Sequence, residues 1–352
     1  MEMIDLLSKA AELGCSDLYF VPGAPPTGKQ GTKMCPLDEI KMSPATCEEL
    51  ILAAYALAGN RNMDTLKRNG DDDFSFSLRD RGRFRVSAYR QRGSLAAVLR
   101  IVPFGLPDPA ERHIPESVLS LVKEKNGLIL VTGSTGCGKS TTLACMIDRV
   151  NQTRAGHIIT LEDPIEYLHP HKKSIVSQRE VSQDMESYGQ ALRASLRQAP
   201  DVILLGEMRD YETIQTALTA AETGTLVLST LHTIGAATTV DRIIDVFPAN
   251  RQQQVRIQLS MALKAVISQQ LVPTVSGSLY PAFEIMTVTP AIQTMIREGK
   301  THQIDNAIRS GAAQGMVSMD MDILRLYNEK KITGAAALAY AVNRDQLAMK
   351  IH

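Results

Sequence analysis

Residues 127–142 do more than any others to limit what this chain can fold into. Gly127-Leu-Ile-Leu-Val131 is an apolar run too short for a helix, and it passes almost directly into Gly133-Ser-Thr-Gly-Cys-Gly-Lys-Ser-Thr-Thr142. The glycines let the backbone curl so that successive N–H groups point inward at phosphate oxygens, and the helix that follows aims its positive end at the same place. The pattern G-x-x-x-x-G-K-S between a predicted strand and a predicted helix marks a nucleotide site formed by Gly133, Ser134, Thr135, Gly136, Cys137, Gly138, Lys139, Ser140 and Thr141. Lys139 is placed to reach the β- and γ-phosphates of ATP, and Ser140 to ligate Mg²⁺.

A strand of this kind needs partners. Three more short apolar runs, His157–Leu161, Val202–Leu205 and Thr225–Leu228, alternate with helical stretches, which predicts an α/β domain with a parallel sheet covered by helices. Ligands of such sheets bind beyond the carboxyl ends of the strands, so the residues after each run carry the interest. The second run ends in Leu161-Glu-Asp-Pro-Ile-Glu166. Acids at that edge can polarise an attacking water, and Glu162, nearest the strand, is the preferred base. The plain alternative is a solvated acidic turn. The third run leads into Gly206-Glu-Met-Arg-Asp210, where Glu207 is placed to hold or orient Mg²⁺ through its water. The fourth leads into Ser229-Thr-Leu-His232-Thr233. His232 there would sense the γ-phosphate or relay the state of the site to a neighbour, against a purely structural histidine.

Elsewhere the periodicity is mixed. Ile4, Leu6, Leu7 and Leu13 predict an opening helix stopped at Gly14, and Pro22–Gly31 reads as a turn-rich loop. Alternation over Phe74–Leu78, Phe84–Tyr89 and Leu95–Val102 predicts strands of a mostly antiparallel sheet, broken at Arg79–Gly82 and Gln91–Ser94. Pro103-Phe-Gly-Leu-Pro-Asp-Pro109 is a linker, so the expected division is a small α/β domain over 1–102, a linker over 103–111 and the nucleotide domain over 112–352. The C-terminal part is expected to be helical. Ile214, Ala217, Leu218 and Ala221 mark a helix over Asp210–Gly224. Val255, Leu259, Leu263, Val266 and Ile267 mark a longer one, and Thr289-Pro290 with Ile292, Met295, Ile296 and Gly299 a capped third.

Composition excludes several classes. Lysine plus arginine equals aspartate plus glutamate at 38 each, so no polyanionic partner such as nucleic acid is indicated. The acidic start lacks the features of a signal peptide, and no apolar stretch approaches the roughly 20 residues of a membrane span. The five cysteines form no Cys-x-x-Cys, and their odd number argues against a disulfide framework. Against this neutral background, Arg79, Arg81, Arg83, Arg85, Arg90, Arg92 and Arg100 crowd into 22 residues. Phosphoryl transfer uses arginine to stabilise developing charge, often supplied across a subunit interface. A solvated basic sheet face is the plain reading for most of them.

Together the P-loop, the acidic box at Glu162, the acid at Glu207 and the histidine box at His232 resemble the secretion and type IV pilus ATPase superfamily. Gly206–Asp210, Leu218–Gly224, Thr230–Thr233 and Ile243–Pro248 are similar to its pilus retraction branch, and so, with departures at Gln293, Thr294 and Met295, is Ala291–Glu298, continued by Thr301–Ile304. The resemblance implies a PAS-like N-terminal domain and a RecA-like ATPase domain, a cytoplasmic homohexamer at the inner face of the membrane, and partners in an inner-membrane platform protein and other pilus ATPases. By the same resemblance Glu162 is the general base, Glu207 the Walker B acid, His232 part of the histidine box, and Arg85 and Arg100 the arginines directed at nucleotide. Cys137 stands where serine is usual and Ala199 where aspartate is usual; Cys137 would confer thiol sensitivity if it is reactive. Pilus extension or type II secretion is the nearest alternative, although the four-cysteine zinc module of that branch is absent. A RecA-like nucleic-acid motor is a more distant one. The intact Lys139, Glu162 and Glu207 argue against a non-catalytic subunit.

Overall fold

A computed structural model describes residues 2–78, 81–102 and 105–351. The chain divides into two compact units, Met1–Gly105 with Glu166–Leu168, and Leu106–Ile165 with His169–His352. Arg79, and Pro103 and Phe104 of the expected linker, lie outside the described residues.

In the first unit the strands β1 (Asp17–Phe20), β2 (Thr27–Gln30), β3 (Lys33–Pro36), β4 (Asp71–Leu78), β5 (Gly82–Gln91) and β6 (Ser94–Val102) form one antiparallel sheet in the order β3-β2-β1-β6-β5-β4. The alternating segments become β4, β5 and β6. Phe84, Val86, Ala88, Leu99 and Ile101 point to a core shared with Leu6, Leu7 and Ala10 of the helix Met3–Glu12 and with Leu50, Ile51 and Ala54 of the helix Pro44–Leu57. The expected loop over Pro22–Gly31 contains a strand instead. Thr-Gly-Lys-Gln has no apolar alternation to announce β2, and Gly28 is there because a Cβ would come within 2.5 Å of Cys15 Sγ.

In the second unit β7 (Gly127–Thr132), β8 (His157–Glu162), β9 (Ile175–Glu180), β10 (Val202–Leu205), β11 (Leu226–Leu231), β12 (Leu263–Pro273) and β13 (Leu279–Thr287) lie in the order β13-β12-β7-β11-β10-β8-β9. All neighbours are parallel except the β12–β13 pair. The four predicted runs are therefore strands of one parallel sheet, each buried on both faces. One face packs on the helix Lys139–Thr153, the other on the helices Tyr211–Glu222, Ala236–Asp245 and Ala249–Ala262.

The expectation of continuous helix beyond Val255 is corrected. The helix stops at Ala262, and Leu263, Val266 and Ile267 belong to β12. Leu263 and Val266 face one core, Ala265 and Ile267 the other. A strand buried on both sides has no alternation, and its apolar positions mimicked a helical spacing. The helix Tyr211–Glu222 forms as expected, with Asp210 accepting from Thr213 N at 2.9 Å as its cap. So does Pro290–Arg297, capped by Thr289.

Candidate functional site

The carboxyl ends of β7, β8, β10 and β11 lie side by side, and the polar residues that follow them form one edge. Beyond β7 the loop 133–138 turns sharply into the helix Lys139–Thr153. Gly133, at φ 139°, has no room for a side chain, because a Cβ would stand 2.3 Å from Gln269 O and 2.7 Å from Cys137 Sγ. Lys139 is buried and its ammonium donates to the carbonyls of Gly133 (2.9 Å) and Ser134 (3.0 Å), so the charge lies inside the loop.

Two strands away β10 ends, and the backbone keeps its neighbours for a further turn. Gly206 N donates to Leu161 O at 2.8 Å, and Thr230 Oγ1 donates to Gly206 O at 2.6 Å. Gly206 is required by space, since a methyl group there would lie 2.7 Å from Tyr188 Oη. Glu207 is thereby fixed between the ends of β8 and β11. Its carboxylate pairs with Arg209 at 2.6 Å and lies 3.4 Å from His232 Nε2, whose Nδ1 is 3.5 Å from Thr135 Oγ1. His232 thus bridges the acid after β10 and the P-loop. The Tyr188 phenol is pushed well up by burial and by the nearby Asp163, Glu207 and Glu162 carboxylates. That places an uncharged hydroxyl among three acids.

Glu162 closes β8. Thr160 Oγ1 (2.6 Å) and Gln178 Nε2 (3.2 Å) both donate to its Oε1, and Gln178 Oε1 accepts from His169 N at 2.8 Å. The turn after Glu162 is held by Glu180, which accepts from Ile165 N at 2.9 Å. Gln178 and Glu180 were not identified from the sequence. Their signal was their place on β9, parallel to β8, where Thr160 pairs with Gln178 and Glu162 with Glu180. Gln269 was missed as well, because it lies just past the apolar positions taken for a helix. From β12 its amide donates to Cys137 O and accepts from Thr142 Oγ1, both at 2.7 Å, bracing the P-loop from the side.

Cys137 is buried, and desolvation raises its thiol pKa despite the opposing pull of the Lys139 charge. A protonated, enclosed thiol is a poor nucleophile, which argues against thiol sensitivity at Cys137. Ala199 adopts φ 51°, a left-handed conformation that aspartate tolerates better than alanine. Of the C-terminal motif, Ile292 and Ile296 are fully buried, whereas Gln293, Thr294 and Met295 are half-buried, so the departures spare the two deepest anchors.

In the first unit, β5 and β6 set Arg85 directly opposite Arg100, and β1 sets Asp17 opposite Arg100 on the other side. Arg100 Nε donates to Asp17 at 2.9 Å. Among the described residues Arg85 has no hydrogen-bond or ion-pair partner. Like charges face to face destabilise a sheet unless something neutralises them, and Asp17 can neutralise only one of the two.

A glycine-cradled lysine, followed by acids on two further strand ends and a histidine on another, defines a P-loop nucleoside triphosphatase of the parallel-sheet kind. The family model for type II/IV secretion system proteins matches residues 91–339, and the chain belongs to that family. It is 41% identical over 352 residues to the type IV pilus ATPase PilU of Pseudomonas aeruginosa, covering 100% of this chain and 91% of the relative. It is 43% identical to the type IV pilus retractation ATPase PilT of the same organism, covering 91% of this chain and 92% of that one. The crystal structure of the pilus retraction motor PilT with bound ADP superimposes with a TM-score of 0.91 at 44% identity, covering 99% of each chain. No helix among the described residues is long and apolar enough to cross a membrane.

Proposed function

We propose that this protein is an ATPase that powers the retraction of type IV pili, working as a ring of six identical subunits. The observation that carries the reading is the meeting of Lys139, Glu162, Glu207 and His232 at one sheet edge, in a chain 44% identical to a retraction motor that binds ADP. The P-loop N–H groups and the start of the helix Lys139–Thr153 hold the phosphates, and Lys139 turns its ammonium from the Gly133 and Ser134 carbonyls toward them. Glu162, oriented by Thr160 and Gln178, takes a proton from water as the oxygen attacks the γ-phosphorus. The bond from that phosphorus to the β,γ-bridging oxygen breaks, leaving ADP and phosphate. His232, touching both Glu207 and Thr135, reports on the γ-position.

The donor set suits Mg²⁺. A hydroxyl (Ser140) and a carboxylate (Glu207) are hard oxygen ligands, and among the described residues no group of three His, Cys, Asp or Glu forms a closed cage. That matches a cation that keeps waters and substrate oxygens in its shell. Ser140 would hold it directly and Glu207 through water; when bound it neutralises charge on the phosphates. Arg85 and Arg100 complete the site of a neighbouring subunit. The motor acts at the cytoplasmic face of the inner membrane on a platform protein, in company with other pilus ATPases. Purified protein should hydrolyse ATP only with Mg²⁺, and Lys139→Ala should abolish turnover. Deleting the gene should leave cells with extended, static pili and no twitching; unaltered twitching would refute the biological role.

A further inference from the structure

Tyr188 opens the helix Tyr188–Ser195, whose cap Ser187 accepts from Gln190 N at 3.4 Å. Its ring packs on the core that includes Leu161, Leu192 and Leu205, and its hydroxyl reaches the nucleotide edge. A Cβ added to Gly206 would stand 2.7 Å from Tyr188 Oη, 3.3 Å from Leu161 O and 3.5 Å from the Glu162 Cα. Those atoms surround one point. The hydroxyl therefore lies in the niche between the ends of β8 and β10, beside the backbone from which both Glu162 and Glu207 extend.

The polar groups around this niche already have partners. Thr160 and Gln178 donate to Glu162, Arg209 and His232 lie against Glu207, and Thr230 donates to Gly206 O. Among the described residues Tyr188 Oη makes no hydrogen bond. A largely buried phenol normally finds a partner, and packing alone would be served by a phenylalanine ring without crowding Gly206. The acids also limit what the group can do. Asp163, Glu207 and Glu162 oppose loss of its proton, so it is no phenolate base. What remains to it is hydrogen bonding as a neutral hydroxyl, within reach of the group that activates water.

We infer that Tyr188 is a positioning residue for the attacking water, which it orients together with Glu162. Such a water gives one hydrogen to the Glu162 carboxylate and the other to Tyr188 Oη, so that a lone pair is left to face the γ-phosphorus. The hydrogen of Tyr188 itself points to the surrounding carboxylates. As the new oxygen–phosphorus bond forms and the bond to the β,γ-bridging oxygen breaks, the departing proton goes to Glu162. Tyr188 keeps its own hydrogen and ends the step unchanged. The inference rests on the ATPase reading and adds to it a second contact on the water.

Tyr188→Phe removes the hydroxyl and keeps the ring. With Mg²⁺ and ATP it should slow single-turnover hydrolysis about tenfold, the scale of one lost hydrogen bond, while KM for ATP and the urea midpoint stay at their wild-type values. A cycle with Glu162→Gln then asks whether the two residues act on one water. If they do, Tyr188→Phe slows the Glu162→Gln enzyme by much less than it slows the wild type. The same tenfold loss in both backgrounds overturns the shared water. An unchanged chemical step in Tyr188→Phe overturns the inference and leaves the ATPase standing. A slower step accompanied by a lowered urea midpoint also overturns it, since the hydroxyl would then serve packing. Wild-type protein that does not hydrolyse ATP would instead overturn the ATPase reading.

Discussion

In the seven-stranded sheet the candidate site residues gather beyond the ends of β7, β8, β10 and β11, whereas in the six-stranded sheet they lie side by side on three adjacent strands. The difference follows from strand direction. Parallel strands all deliver their carboxyl ends to one edge, so Lys139, Glu162, Glu207 and His232 arrive together although 93 positions separate the first from the last. Antiparallel strands share no such edge, and their chemistry lies in register, as with Asp17, Arg100 and Arg85 side by side on β1, β6 and β5. The first arrangement gathers a P-loop lysine, two acids and a histidine at one edge. The second is a basic row in which, among the described residues, Asp17 pairs with Arg100 and the Arg85 guanidinium has no partner.

The largest expected effect would break the idea that the two sheets serve one reaction. Arg85→Ala and Arg100→Ala should each lower kcat by about 10³ if the row completes a neighbour's site. Mixing Arg85→Ala subunits with Glu162→Gln subunits should restore part of the turnover. Full activity in both arginine variants would make the row merely a solvated face. Glu162→Gln itself should cost about 10² to 10³ in kcat through loss of the base, with ATP still bound; single-turnover hydrolysis separates the two. Gln178→Ala removes the donor that β9 supplies to Glu162, and a hydrogen bond to a carboxylate supports about a tenfold loss in kcat. The loss should fall on the chemical step in single turnover, with ATP affinity unchanged, because the residue Gln178 holds is the one that takes the proton from water. A loss of ATP affinity or of folded protein with the chemical step unchanged would assign Gln178 to folding alone.

The same edge carries a pH dependence of stability. Burial lowers the pKa of His169 to about 4, opposed by Asp148 and helped by Lys172. Its ordinary value is about 6.5, so the unfolded chain takes up a proton before the folded one does. The stability contribution is full above about pH 6.5 and is lost as pH falls toward about 4, amounting to about 3 kcal/mol in all. Urea titrations at pH 7.5 and 5 should show the loss, and His169→Gln should flatten it. The smallest effect is expected at Cys137, where Cys137→Ser should leave kcat within about twofold and thiol reagents should leave the folded enzyme active. Rapid inactivation cured by that substitution would show that the loop opens to solvent.

Much of the nucleotide edge was legible beforehand because each of its motifs is contiguous. A strand, a glycine-rich loop and a helix follow one another in the chain, and so do the acids after β8 and β10. Gln178, Glu180 and Gln269 were not legible, because each acts on a motif some fifteen or more residues away through strand pairing. β12 was misread since burial on both faces erases the alternation that marks a strand.

The sequence alone determined that there is a P-loop, which acids and which histidine follow the neighbouring strands, and that an arginine-rich sheet precedes them. It could do so because backbone geometry over ten residues is a local matter. Tertiary structure decided the rest: that His232 bridges Glu207 and Thr135, that Glu162 is held by a glutamine from β9, and that Arg85 faces Arg100 with a single aspartate between them and β2. It also seated the Tyr188 hydroxyl between the ends of β8 and β10. Those relations depend on strand order and register, which are set by how the two buried faces pack and not by any neighbour in the chain.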